Sequence, residues 1–198
     1  EWLTKQLDYP VYIVQKGDLR NDTLIGYKRK NGNRKFASIP FFLKNSGINI
    51  RECTTDYKIT PVRKKTRELL GLKKGQKVSK DVMVETWIGI SLDEIIRAKE
   101  SRYKWSYNRF PLLELELKRH ELIKWFDERY PNQTLTKSSC TFCPYHDDKT
   151  WREMKINDVE SWNDAVDFDK KLRARKTKYK HEQYLYRSCL PLDEIDFD

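Results

Sequence analysis

Apolar positions along this chain come in short runs set between long charged stretches. Val11–Gln15 (VYIVQ) is β-branched and aromatic, follows Pro10 and closes at Gly17-Asp18, which predicts a buried strand. Residues 26–35 (GYKRKNGNRK) are polar, basic and glycine-containing and predict a loop, and Pro40 argues against a central strand in the apolar patch Ile39–Phe42. Thr60 and Pro61 suit the cap and first turn of a helix running to about Leu70, with Gly71 as the residue just past its end. After a charged turn over 72–81, Met83–Ile90 (MVETWIGI) predicts a second buried strand, and Ser91 with Glu94 predicts a capped helix ending near Lys99. The helical spacing of Leu113, Leu117, Leu122 and Trp125 predicts one long helix over Leu112–Arg129, stopped by Pro131. Further helices are expected at about 148–155 and 160–175.

Strands alternating with helices make this an α/β pattern. We expect one domain over 1–198, with sheet in 1–90 and a mainly helical part in 91–198. Two strands are too few for a free-standing parallel sheet. Either strands are missed, or part of the domain lies outside this chain, which opens on Glu1 and not on Met.

Composition changes this picture in two ways. Aromatic content of 13% argues for a folded chain although hydrophobic residues are only 38%. A net charge of +10 favours an anionic partner, either nucleic acid or a phosphorylated small molecule. No apolar run is long enough to span a membrane, and no leader peptide is recognisable.

The candidate chemistry centres on sulfur. Cys53 lies between Arg51 and Lys58, just before the helix expected at Thr60, a setting that favours thiolate and would equally hold phosphate or sulfate. Cys140 and Cys143 form a C-x-x-C followed by Pro144 and His146, a two-ligand half-site whose alternatives are a redox dithiol or two unligated thiols. Cys53 is the natural third ligand, and Cys189 or His146 could be the fourth. The patch Gly89–Arg97 lies at a strand end where α/β sheets bind ligands, or is a plain helix start. Residues 101–109 interleave cations with aromatics, which suits stacking on bases or a packed rim loop. His120 and His181 look like helix-surface residues.

Together the motifs R-x-C-T-x-x-Y-K-I-x-P (51–61), G-I-S-x-D-E-x-x-R (89–97), P-L-x-E (111–114) and S-x-C-x-x-C-P-Y-H-x-x-x-x-W (138–151) resemble PAPS-reductase-like proteins of bacteria and phages. These are a branch of the adenine-nucleotide α-hydrolase, or PP-loop, superfamily. The resemblance runs from about Tyr9 to Cys189 and implies a parallel sheet of that superfamily's HUP-type fold, flanked by helices and incomplete at its N-terminus. It implies sulfur transfer or sulfonucleotide reduction in a bacterial or phage-infected cytoplasm, in the context of nucleic-acid modification among other roles. It also implies ATP or an adenylyl-sulfate-type nucleotide as ligand. Cys53, Cys140 and Cys143 match positions that would hold a 4Fe–4S cluster or zinc, with Cys189 or His146 left as the candidate fourth ligand, and Arg51, Lys58 and Arg97 would lie near nucleotide or cluster. The superfamily's S-G-G-x-D-S phosphate loop and its closing Cys-containing acidic tail are absent from this chain. Without that loop, the alternative is a catalytically degenerate basic module binding nucleic acid or a partner chain, with 26–35, 101–109 and Lys170–Lys180 as its contacts.

Overall fold

A computed structural model describes residues 2–135, 139–175 and 181–197. The order is α1 (Leu19–Leu24), β1 (Tyr27–Lys28), β2 (Arg34–Lys35), β3 (Phe42–Leu43), β4 (Gly47–Ile48), a π-helical segment (Thr55–Ile59), α2 (Thr60–Leu69), β5 (Val84–Trp87), β6 (Ser106–Arg109), α3 (Pro111–Glu114), α4 (Arg119–Arg129), α5 (Asp148–Asn157), α6 (Val159–Ala174) and β7 (Gln183–Tyr184). The fold is mixed α/β, with a small parallel pair, β5 and β6, accompanied by helices. The chain divides into two compact units, 1–66 with 139–198, and 67–138. No helix of the described residues is long and apolar enough to cross a membrane.

The first unit is built on α6. Ala165, Phe168, Asp169 and Leu172 recur along one face of it at helical spacing and are buried. Phe168 stacks on Phe142 with ring centroids 4.0 Å apart, and Trp151, Trp162 and Phe197 meet edge to face. Ile39 and Phe41 enter the same cluster from the segment leading into β3. β3 is the central strand of an antiparallel sheet ordered β4-β3-β7, so Pro40 precedes a central strand without interrupting it. One carboxylate is sealed inside: Asp169 is 1% exposed, accepts the N–H groups of Leu185 and Leu192, and pairs with Arg173 at 2.9 Å.

Several sequence expectations are corrected here. Val11–Gln15 joins no ladder, and Ile13 is 87% exposed. The stretch has strand composition but no partner for its backbone groups, and Tyr12 instead lies under the Lys65 ammonium, 4.5 Å away. Asp18, expected only to close that strand, caps α1 by accepting the N–H groups of Arg20 and Asn21. Residues 26–35 are not a plain loop but the β1–β2 hairpin, pairing Tyr27 with Lys35 and Lys28 with Arg34.

The expected helix start at Thr60 is also wrong. Helix begins at Cys53, and Thr60 sits inside it with φ −64° and ψ −45°. The N–H of Thr60 bonds the Thr55 carbonyl five residues back, and Pro61, next in line, has no N–H to continue a regular ladder. The π segment accommodates the proline that the sequence pattern takes for a helix opening. Gly71, at φ +72°, ends α2 as expected.

The second unit holds the parallel pair, in register from Val84 against Ser106 to Trp87 against Arg109. The strand predicted over Met83–Ile90 is present as β5 but not buried: Trp87 is 65% exposed, and Ile90 is the unit's one buried hydrophobic residue among those described. The capped helix at Ser91 is a short 3-10 turn over Leu92–Arg97; the Ser91 hydroxyl donates to Asp93, and Glu94 pairs with Arg97, so no capping box forms. The long helix over Leu112–Arg129 is broken into α3 and α4 at Glu116, whose φ is +54°. The break frees the Leu117 carbonyl to accept the Leu92 N–H.

Candidate functional site

Three of the four cysteines converge in the first unit. Cys53 opens the helical segment that runs through the π turn, and its N–H bonds the carbonyl of Ser38, next to buried Ile39. Cys140 and Cys143 lie on two consecutive turns, Cys143 N–H to the Cys140 carbonyl at 3.0 Å and His146 N–H to the Cys143 carbonyl at 3.1 Å. That loop is fastened on three sides. The Thr141 hydroxyl donates to Asp164 at 2.6 Å, Phe142 is stacked on Phe168, and His146 Nε2 lies 2.9 Å from the Cys140 carbonyl, its ring set edge-on against Trp151. Fastening these neighbours leaves the two sulfur-bearing residues half-buried between core and surface. Cys53 and Cys140 both pack against the hydrophobic cluster.

The electrostatics tie the three thiols together. Burial pushes the Cys140 thiol up from its ordinary value, Cys143 and Cys53 push it the same way, and the Lys58 ammonium opposes them. The Lys58 ammonium, carried by the π segment that follows Cys53, acts on the Cys140 thiol. Arg51 lies over the ring of Tyr145, 5.2 Å from its centroid, which ties the segment before Cys53 to the residues after the C-x-x-C. Neither Arg51 nor Lys58 has a carboxylate partner among the described residues, whereas Lys16 and Lys35 nearby are paired with Asp56 and Glu52.

The remaining predicted residues lie elsewhere. Cys189 has a left-handed backbone, φ +54°, and the charge that acts on its thiol is Lys44, opposing the effect of burial. Arg97 belongs to the second unit, exposed and paired with Glu94. Of the basic Lys170–Lys180 stretch, 176–180 lie outside the described residues, as does Ser138 of the C-x-x-C motif. In the 101–109 patch Tyr103 and Trp105 stack on each other at 5.7 Å, and Ser106–Arg109 form β6.

Three residues stand inside the quoted motifs without a role assigned to them from sequence. Tyr145 is the platform for Arg51. Tyr57 donates its hydroxyl to Asp22 at 2.6 Å, and burial and that bond push its phenol far up. The hydroxyl of Thr54 is buried beside Cys53 with no hydrogen-bond partner among the described residues. A proline eight residues after Cys53, inside an otherwise helical pattern, was the available signal for the π turn.

The donor chemistry fits a thiophilic ion or an iron–sulfur cluster: three soft sulfur donors, a spare hydroxyl donor and two uncompensated cations. The arrangement itself is that of free thiols. Among the described residues, no group of three or more His, Cys, Asp and Glu side chains is set to hold a metal ion. Comparison with protein-family models, with curated proteins and with solved structures finds no match to the chain.

Proposed function

We propose that the chain is a sulfur-chemistry protein of the PAPS-reductase-like kind, in which Cys53, Cys140 and Cys143 hold a 4Fe–4S cluster or zinc. The observation that carries this is the convergence of three thiols, 87 residues apart at the nearest between the two segments, in one electrostatic neighbourhood with Lys58. When bound, such a group supplies soft metal sites next to which a sulfur-bearing substrate can react. The chain's own residues bind and orient. Arg51, steadied on Tyr145, and Lys58 offer uncompensated positive charge to the phosphate or sulfate of an ATP- or adenylyl-sulfate-type nucleotide. The HUP-type sheet belongs to the same proposal, with the β5–β6 parallel pair as its coarse support. The fourth ligand is then exogenous or substrate-derived, because His146 Nε2 is engaged with Cys140 and Cys189 sits beside Lys44.

The test is anaerobic purification followed by iron, sulfide and zinc analysis. Cys53→Ser, Cys140→Ser and Cys143→Ser are each expected to lower bound metal at least about tenfold, and Cys189→Ser to leave it within about twofold. A folded chain that stays metal-free after anaerobic reconstitution, with all four thiols titratable, removes the metal centre.

A further inference from the structure

The strongest feature outside the thiol centre is the β1–β2 hairpin. Between Tyr27 and Lys35 it carries Lys28, Arg29, Lys30, Arg34 and Lys35 and no acidic residue. Lys35, at its foot, is paired with Glu52 and Asp56. Lys28, Arg29, Lys30 and Arg34 are exposed and have no carboxylate partner among the described residues. The surrounding charge reinforces this: residues 1–66 hold fourteen Lys and Arg against six Asp and Glu, so most of the chain's positive surplus lies in its first third.

The arm is formed and anchored, not merely a basic tail. The Arg29 N–H bonds the Asn33 carbonyl at 2.7 Å, the Gly32 N–H bonds the Arg29 carbonyl at 2.9 Å, and the Asn31 side chain accepts the Asn33 N–H. At the foot, Gly26 has φ +78°, and a Cβ there would stand 2.8 Å from the Lys35 carbonyl oxygen. The Ala37 N–H bonds the Asp22 carbonyl at 2.8 Å, and the Arg175 guanidinium covers Phe36 at 5.0 Å. A preformed arm binds without the ordering cost that a disordered basic segment meets.

We propose that this hairpin is a duplex-DNA contact: a two-stranded ribbon that enters the major groove while its four unpaired cations meet the flanking phosphates. Two paired strands lie about 4.8 Å apart, and the major groove of B-form DNA, about 12 Å wide, admits a ribbon of that kind. The deep, narrow major groove of A-form RNA does not. The contact is electrostatic and indifferent to sequence, since phosphates carry no base information. It does not depend on the thiol centre, so loss of metal binding leaves it standing.

The experiment measures fluorescence anisotropy of a labelled random-sequence DNA duplex of about 20 base pairs across about 50–200 mM salt. The variant K28Q/R29Q/K30Q/R34Q changes only exposed side chains. It is expected to bind at least about tenfold more weakly near 100 mM salt, and to lose about 3–4 from the log–log salt slope, close to 0.9 for each lost phosphate contact. The charge-matched variant K73Q/K74Q/K77Q/K80Q, also at exposed positions, is expected to stay within about twofold of the parent. Circular dichroism confirms that both variants fold. Three results would overturn the proposal: no duplex binding by the parent chain, equal loss in the two variants, or duplex RNA of the same sequence bound as tightly as DNA.

Discussion

The two compact units spend their residues differently. The first sinks twelve apolar side chains into one cluster and buries a fully bonded carboxylate inside it. The second has Ile90 as its one described buried hydrophobic residue and leaves Trp87, Ile96, Leu115 and Trp125 largely in solvent. What organises the second unit is polar. Arg109 makes a two-pronged contact with Glu114, reaches Glu85 and covers Trp87, so one side chain from β6 ties together β5, β6 and α3. The thiol centre sits in the unit with the dense core. Positioning three sulfurs requires rigid support, and ion pairs in solvent supply far less of it than close-packed rings do.

The largest expected effect tests that contrast directly. Phe168→Ala removes a ring that is fully buried, stacked on Phe142 and covered by the Arg20 guanidinium at 5.3 Å. It is expected to cost about 3–5 kcal/mol. Trp87→Ala, an aromatic deletion in the second unit at 65% exposure, is expected to cost less than about 1 kcal/mol. Chemical denaturation of both variants reads the difference, and equal losses would mean that the second unit has a core the contacts do not reveal.

Next comes Asp169→Asn. The carboxylate accepts two backbone N–H groups, from Leu185 and Leu192, and the Arg173 guanidinium. An amide keeps one acceptor and turns its NH2 toward donors, leaving at least one buried N–H unmet, at about 2–3 kcal/mol. Because Asp169 joins α6 to the segments on both sides of Cys189, hydrogen exchange should accelerate first at Leu185 and Leu192. A variant with unchanged protection there would show that apolar packing alone holds the C-terminal segment.

The same contrast explains what the sequence could and could not disclose. Helices α5 and α6 were legible because their apolar positions repeat at helical spacing and face a core. The motif types singled out Cys53 and the C-x-x-C, and the structure brings Cys53 within electrostatic reach of Cys140; the place of Cys189 was not legible, since nothing in its spacing tells of Lys44. The second unit misled more often. Leu113, Leu117, Leu122 and Trp125 keep helical spacing across Glu116, yet no Gly or Pro marks the break there, and a tertiary bond from Leu92 to Leu117 overrides propensity. The hairpin was missed because both of its faces are polar, so no alternation betrays it; only Asn31-Gly32 carried the turn signal. Val11–Gln15 erred in the opposite direction, having strand composition without a strand to pair with.

The smallest expected effect is in pH dependence, and it separates the units on the alkaline side. On the acid side the units behave alike: Asp93 and Glu114 in the second and Asp158, Asp167, Glu182 and Asp193 in the first are all held below the usual carboxylate range by hydrogen bonds or cations. Depressed carboxylates stabilise above their unfolded values and lose that contribution as pH falls through the folded ones, so both units weaken together. The thiol and phenol shifts, by contrast, lie in the first unit. Burial raises Cys140 above 9.0 and Tyr186 above 10.0, and the hydrogen bond to Glu182 with burial pushes Tyr184 up to about 12. A raised acid favours its protonated form in the folded state, so its contribution is complete below the unfolded value and disappears as pH climbs through the folded one. The metal-free first unit should therefore lose stability progressively from about pH 9 to 12, beginning with the thiols of Cys140 and Cys189, while the second unit's amide spectrum changes less over the same interval. Cys140→Ser together with Cys189→Ser, which removes both raised thiols, should shift the onset upward toward the tyrosine range. If both units lose their spectra together, or if the double variant leaves the onset at the thiol value, burial of the two sulfurs is not what sets the alkaline limit.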